Sequence, residues 1–156
     1  MRLCGQQAVW NYEEENGILT IQGVGAMEDY TEPEQVPWNS LMQEIKVVVI
    51  RDGITTVGDY AFAGCSNLQE VTLPGSVEIV GVFSFKGCTG LREIVIPEGV
   101  RVLASKAFQF CSALKKVYLP STLIDVDMRA FGKCESLEEV FYQGSEEPVS
   151  YTHLTL

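Results

Sequence analysis

The chain has 156 residues, 46% hydrophobic and 21% charged, which is enough for one domain with a packed core. A formal net charge of -10 argues against nucleic acid, whose phosphates require clustered Lys and Arg, and against docking on an anionic membrane. No stretch approaches the ~20 apolar residues of a membrane span, so no direct membrane insertion is expected.

From the N-terminus, "MRLCGQQAVW" carries no apolar core of the kind a secretory signal needs. "AVWNYEEENGILTIQG" reads as two strands around Asn16-Gly17, a hairpin turn signal. "TEPEQVPWNS" reads as a loop carrying Trp38. Residues 1–44 do not share the pattern that follows, and they are read as a cap that shields the edge of a repeat array.

The array runs over residues 45–142. "AFAGCSNLQEVTLP", "SFKGCTGLREIVIP", "AFQFCSALKKVYLP" and "AFGKCESLEEVFYQ" follow one another at a spacing of 23 residues. That period marks a solenoid of about four units. Phe62, Phe85, Phe108 and Phe131 form one column, and Cys65, Cys88, Cys111 and Cys134 a second. Leu68, Leu91, Leu114 and Leu137 form a third. Val71, Ile94, Val117 and Val140 come next, then Leu73, Ile96, Leu119 and Tyr142, with Pro74, Pro97 and Pro120 closing the strand. "EVTLP" alternates, so Val71 and Leu73 point one way and Glu70 and Thr72 the other. "GSVEIV" fits a second short extended segment, and "DYAFAGCSNL" fits one or two short helical or 3₁₀ turns. A single unit cannot bury its own apolar face, whereas stacked units bury a continuous core. Residues 143–156, which hold the only histidine, His153, lose the period and are read as an irregular tail whose last residues are foreign to the native chain.

This pattern resembles the BspA-like leucine-rich repeats of bacterial surface proteins. "VTLPGSVEIVGVFSFKGCTGL" with its three relatives and "VVVIRDGITTVGDYAFAGCSNL" carry the resemblance. The lead-in adds "CG", "W", "NGILTIQGVGAM" and "PW" in order. The resemblance implies a leucine-rich-repeat-like solenoid, a cell-surface or secreted location, and adhesion or protein binding as the usual role.

Three accounts compete for the recurring cysteine. Four thiolates around zinc must lie within ~4 Å of one another, but a row stepped at the ~4.8 Å strand spacing sets Cys65 and Cys134 ~14 Å apart. Disulfides need side chains that face each other, which parallel members of a row do not. A row of buried reduced thiols remains, each a small hydrophobe with a weak donor. No catalytic set is expected. A thiol nucleophile needs a base, and the acidic runs Glu13-Glu14-Glu15 and Glu146-Glu147 sit beside turns without a cleft. No cofactor is expected either: "QGVGAM" lacks the spacing of a phosphate-binding loop.

The outward strand columns are the candidate site. One reads Val49, Thr72, Val95, Tyr118 and Phe141, apolar or aromatic for the most part on a face turned to solvent. Beside it run Val47, Glu70, Glu93, Lys116 and Glu139. An apolar stripe rimmed by charge is the usual look of a contact face, here for another protein or a cell-surface or matrix macromolecule. The competing account is a spacer that projects another domain, its strands holding β-branched and aromatic residues only because these suit strands. Phe110, whose equivalents are Gly64, Gly87 and Lys133, is a second exposed aromatic and is read as incidental. Nothing in the sequence fixes an oligomeric state.

Overall fold

The alternation around each proline-ended segment becomes a short strand, and the 23-residue period becomes one turn of a three-sided coil. The computed structural model describes residues 2–127 and 129–142. In order, its strands are β1 (Ala8–Glu13), β2 (Ile18–Gly23), β3 (Gly25–Ala26), β4 (Val47–Ile50), β5 (Ile54–Val57) and β6 (Glu70–Thr72). These are followed by β7 (Ile79–Val80), β8 (Glu93–Val95), β9 (Val102–Leu103), β10 (Lys116–Leu119), β11 (Asp125–Val126) and β12 (Glu139–Tyr142).

The first side of the coil holds β1-β2-β4-β6 and, beyond a seam, β8-β10-β12. The second side is a ladder of five short parallel strands in the order β3-β5-β7-β9-β11. Members of a column meet across each ladder: Val48 pairs with Val71, Ile94 with Val117, and Val117 with Val140. Register is fixed because a one-residue slip would turn every buried side chain to solvent.

The third side is an arc of linked turns. In the first full coil the amides of Ala61, Ala63, Cys65 and Leu68 donate to the carbonyls three residues back, at 3.2, 3.2, 3.3 and 3.1 Å. Tyr60, Phe83 and Lys106 adopt positive φ (63°, 57° and 58°), as do Gly64 and Gly87 four residues further on in the first two coils. Positive φ at the third residue of a turn ends helical progression, so this arc stays a chain of turns. Short 3₁₀ helices proper occur at Pro33–Gln35 and Asn39–Leu41. The arcs are tied coil to coil: Phe62 N–H donates to Ser84 O (2.7 Å), Phe85 to Ala107 O (2.8 Å) and Phe108 to Ala130 O (2.7 Å).

At the N-terminal end, β1 and β2 form an antiparallel hairpin whose connection is longer than two residues. Glu13 pairs with Ile18, leaving Glu14–Gly17 to turn with Gly17 at φ 68°, and Asn16 Nδ2 donates to Glu13 Oε1 (3.0 Å). β2 then lies parallel against β4. Trp38 is fully buried: its ring stacks on Phe62 at 5.4 Å and its Nε1–H donates to Ala61 O at 2.8 Å. The segment read as a loop therefore supplies the first layer of the stack.

The core is a set of columns. The rings of Trp38, Phe62, Phe85, Phe108 and Phe131 stack in file with centroids 5.2–5.4 Å apart. Tyr142, expected in the inward column with Leu119, is exposed instead. All five cysteines are buried and unpaired by disulfides. The thiols of Cys88, Cys111 and Cys134 donate to the carbonyls of Phe62, Phe85 and Phe108 in the preceding coil, at 3.3, 3.2 and 3.1 Å. Cys65 meets Met42 Sδ at 3.2 Å. Cysteine thus recurs because the site is dry, small and faces a carbonyl of the neighbouring coil.

One column carries a defect. Ser84 stands where the other coils have Ala61, Ala107 and Ala130, is fully buried, and its hydroxyl has no partner. A buried, unsatisfied hydroxyl costs ~1–3 kcal/mol. Ser84→Ala is therefore expected to raise unfolding free energy by ~1 kcal/mol, read as a higher urea midpoint at unchanged slope.

Candidate ligand-binding face

The first side of the coil places its outward residues in rows across the strands. Thr20 of β2 pairs with Val49 of β4, and Val49 with Thr72 of β6. Beyond the seam Val95 of β8 pairs with Tyr118 of β10, and Tyr118 with Phe141 of β12. The flanking row follows the same ladders: Val47 pairs with Glu70, Glu93 with Lys116, and Lys116 with Glu139.

The seam divides this row. Between β4 and β6 the amides of Gln69 and Glu70 both reach Lys46 O, and between β8 and β10 those of Lys115 and Lys116 both reach Arg92 O. The described residues show no corresponding pairing between β6 and β8, which fall in separate sheets. A cleft of about 420 Å³ opens there, lined by Glu70, Thr72, Glu93 and Val95 among others. Val71 and Leu73, before the seam, are more exposed than Ile94 and Ile96 after it. The ten residues of the two outward columns therefore form two groups, Val47 standing with Glu70 on the N-terminal side. Val49, Thr72 and Glu70 stand on the N-terminal side of the seam; Val95, Tyr118, Phe141, Glu93, Lys116 and Glu139 stand on the C-terminal side.

The C-terminal group is the better-formed patch. The Tyr118 and Phe141 rings stack at 4.9 Å with 13° between their planes. Both are partly exposed, and Val95 is 52% exposed. Offset aromatic stacking holds both rings in place before any partner arrives, which lowers the ordering cost of binding. Lys116 lies between Glu93 and Glu139 in register, so the rim alternates in charge. The seam itself escaped sequence reasoning because the repeat reads the same on both of its sides.

The thiols offer no nucleophile. Burial pushes Cys65 up to about 12, and burial together with the Glu28 charge does the same for Cys4. Cys88 is raised, chiefly by burial. At Cys111 the neighbouring Cys134 thiol pulls down, but the Cys88 thiol and burial outweigh it. Cys134 is raised by the neighbouring Cys111 thiol and then by burial. Among the described residues no group of three or more His, Cys, Asp and Glu is gathered as a metal site would need, and no helix is long and apolar enough to cross a membrane. The irregular tail and His153 lie outside the described residues.

A family model described as the BspA type leucine-rich repeat region matches residues 40–152 in six copies. No curated protein matches the chain. Among solved structures, a leucine-rich cell surface protein from Faecalibacterium prausnitzii superposes with a TM-score of 0.72 at 22% identity, over 92% of this chain and 40% of that one. A leucine-rich repeat protein from Eubacterium ventriosum gives 0.68 at 22%, over 90% and 43%. The leucine-rich repeat protein of T. pallidum gives 0.66 at 19%, over 90% and 71%. The chain thus spans about two fifths of the length of the first two.

Proposed function

The chain belongs to the BspA type leucine-rich repeat family, and from that premise we propose that it is a non-enzymatic recognition module, displayed at a cell surface or secreted, that binds another protein or a surface or matrix macromolecule through its strand face. The observation that carries the reading is the stacked, outward Tyr118–Phe141 pair beside exposed Val95. Hot spots at interfaces are enriched in aromatics held in place and ringed by polar residues. Glu93, Lys116 and Glu139 supply that ring. Val49, Thr72 and Glu70 across the seam form the outer margin of the same face. The surface location rests on the family and on the relative whose name describes a cell surface protein. The non-enzymatic reading is supported by the thiols, which are held protonated and out of reach of substrate.

The test replaces Tyr118 and Phe141 together by Ser. Wild type and double variant are immobilised and exposed to bacterial envelope extract and to host extracellular matrix. The expected result is capture by wild type, loss of capture by the variant, and a nearly unchanged melting temperature, because both rings point away from the core. Equal capture by both proteins would move the site off this face. Capture by neither would favour the spacer.

A further inference from the structure

Along the first side of the coil, the boundary between β6 and β8 differs from its neighbours. Elsewhere the amide at the strand entry reaches back to the preceding coil: Gln69 N–H donates to Lys46 O at 2.8 Å, Lys115 N–H to Arg92 O at 2.8 Å and Glu138 N–H to Lys115 O at 3.0 Å. At the seam the equivalent donors are Arg92 and Glu93, and among the described residues neither reaches Gln69 O. Ile96 N–H donates to Tyr118 O at 2.9 Å, whereas its counterpart one coil earlier, Leu73 N–H, does not reach Val95 O. The other two sides of the same pair of coils are intact. β7 pairs with β9 through Ile79–Val102 and Val80–Leu103. In the arc the amides of Phe83, Phe85 and Gly87 donate to Ser105, Ala107 and Gln109 carbonyls at 3.2, 2.8 and 2.8 Å.

At the two corners that flank β8, the coil lies tight on the one before it. Gly90 precedes the strand, where the equivalent residues are Asn67 and Ala113; a Cβ there would lie 2.9 Å from Ser66 O and 3.1 Å from Leu68 O. Gly99, at φ 111°, follows the strand and leaves no room for a side chain against Gly75 O. Between these corners β6 and β8 part around the cleft of about 420 Å³ lined by Glu70, Thr72, Glu93 and Val95 among others.

The charge row supplies a cause. Across the strands it runs Val47, Glu70, Glu93, Lys116, Glu139. Lys116 stands in register between Glu93 and Glu139, and there the ladder is closed. Glu70 has Val47 on one side and Glu93 on the other. That single step of the row sets like charges side by side, and it is the step at which pairing stops. Like charges on adjacent strands destabilise their pairing. Arg92 lines a separate hollow at the corner with Ser66, Asn67 and Thr89, and is not part of the cleft.

We propose that the seam is a charge-gated hinge: Glu70 and Glu93 hold the first side open between β6 and β8, the intact second side and arc serve as the pivot, and a positive group set between the two carboxylates lets the ladder close. Closure returns the amides of Arg92, Glu93 and Leu73 to the partners their equivalents already have. It also buries Val71 and Leu73, now 9% and 8% exposed, to the level of Ile94 and Ile96 at 1% and 2%. The strand face changes curvature as it closes, because the Val49–Thr72 half tilts toward the Val95–Tyr118–Phe141 half while the other two sides stay fixed. The hinge belongs to the coil itself and does not depend on what the strand face binds.

Hydrogen exchange, read residue by residue on the full chain without ligand, tests this. In wild type at low salt the amides of Arg92, Glu93 and Leu73 are expected to exchange faster than those of Lys115, Lys116 and Ile96. Glu70→Lys makes the row alternate in sign from Lys at that position to Glu139. It is expected to slow the three seam amides toward the rates of their counterparts and to shift the urea midpoint upward. Rising salt is expected to slow the seam amides of wild type, since it screens the repulsion. Seam amides as slow in wild type as their counterparts, seam amides that stay fast in Glu70→Lys, or wild-type exchange at the seam that ignores salt would each overturn the proposal.

Discussion

Phe85→Ala and Phe108→Ala are each expected to cost ~3–5 kcal/mol, a large part of the ~5–15 kcal/mol that holds a domain of this size together. Each ring lies between two others in file, with centroids 5.2 Å away on one side and 5.2 or 5.4 Å away on the other. Truncation therefore removes two stacking contacts and leaves a cavity whose walls are held apart by backbone bonds between coils. The Phe85 and Phe108 amides are themselves tied to Ala107 and Ala130 carbonyls, so the coils cannot collapse into the gap. The cost then lies toward the upper end of the range. Phe131 stacks on Phe108 alone among the described residues. Its truncation is expected to cost less, since terminal coils open more readily. Urea unfolding of the three variants measures the difference. Equal losses at Phe108 and Phe131 would show that the last coil is covered as tightly as the interior ones.

The sequence makes some of these features readable and hides others, for physical reasons. Phe85, Cys88, Leu91 and Ile94 are legible because a stacked coil demands one residue type at each buried position, and the demand repeats every turn. The Tyr118–Phe141 contact is legible for the same reason, since residues one period apart on a strand become direct neighbours. Trp38 was hidden because it enters the ring stack without belonging to a repeat, one position off the 23-residue spacing from Phe62. The positive φ of Tyr60, Phe83 and Lys106 was hidden because only Gly announces that conformation, and these residues occupy it at a cost of ~1–2 kcal/mol each. The chemistry of a partner is written in such departures from the repeat, while the fold is written in the repeat itself.

Raising the pH above the ordinary thiol range is expected to destabilise the chain steeply, well before lysine deprotonation is complete. An unfolded thiol ionises around ~8.5, whereas all five thiols are held above their ordinary value in the fold, Cys4 and Cys65 at about 12. Below ~8.5 both states keep the proton and stability does not change with these groups. Above it the unfolded chain binds fewer protons than the folded one, so stability falls as pH rises, by ~1.4 kcal/mol per pH unit for each thiol. Cys4 and Cys65, both held at about 12, alone give ~2.7 kcal/mol per unit above the unfolded value, and the other three thiols, raised in the same direction, steepen the fall. Buried Tyr30, also raised by burial ahead of the charges around it, adds to the slope at higher pH. Urea unfolding between pH 8 and pH 9.5, with reductant present, measures this slope directly. Replacing Cys88 and Cys111 together by Ala removes two of the five groups and is expected to reduce the slope. Cys→Ala at these positions lowers stability at pH 7 through lost contacts, so the slope and not the midpoint is the discriminating quantity. A stability that stays flat from pH 8 to pH 9.5 would mean that the thiols ionise within the folded coil, and that the cysteine column is open to water after all.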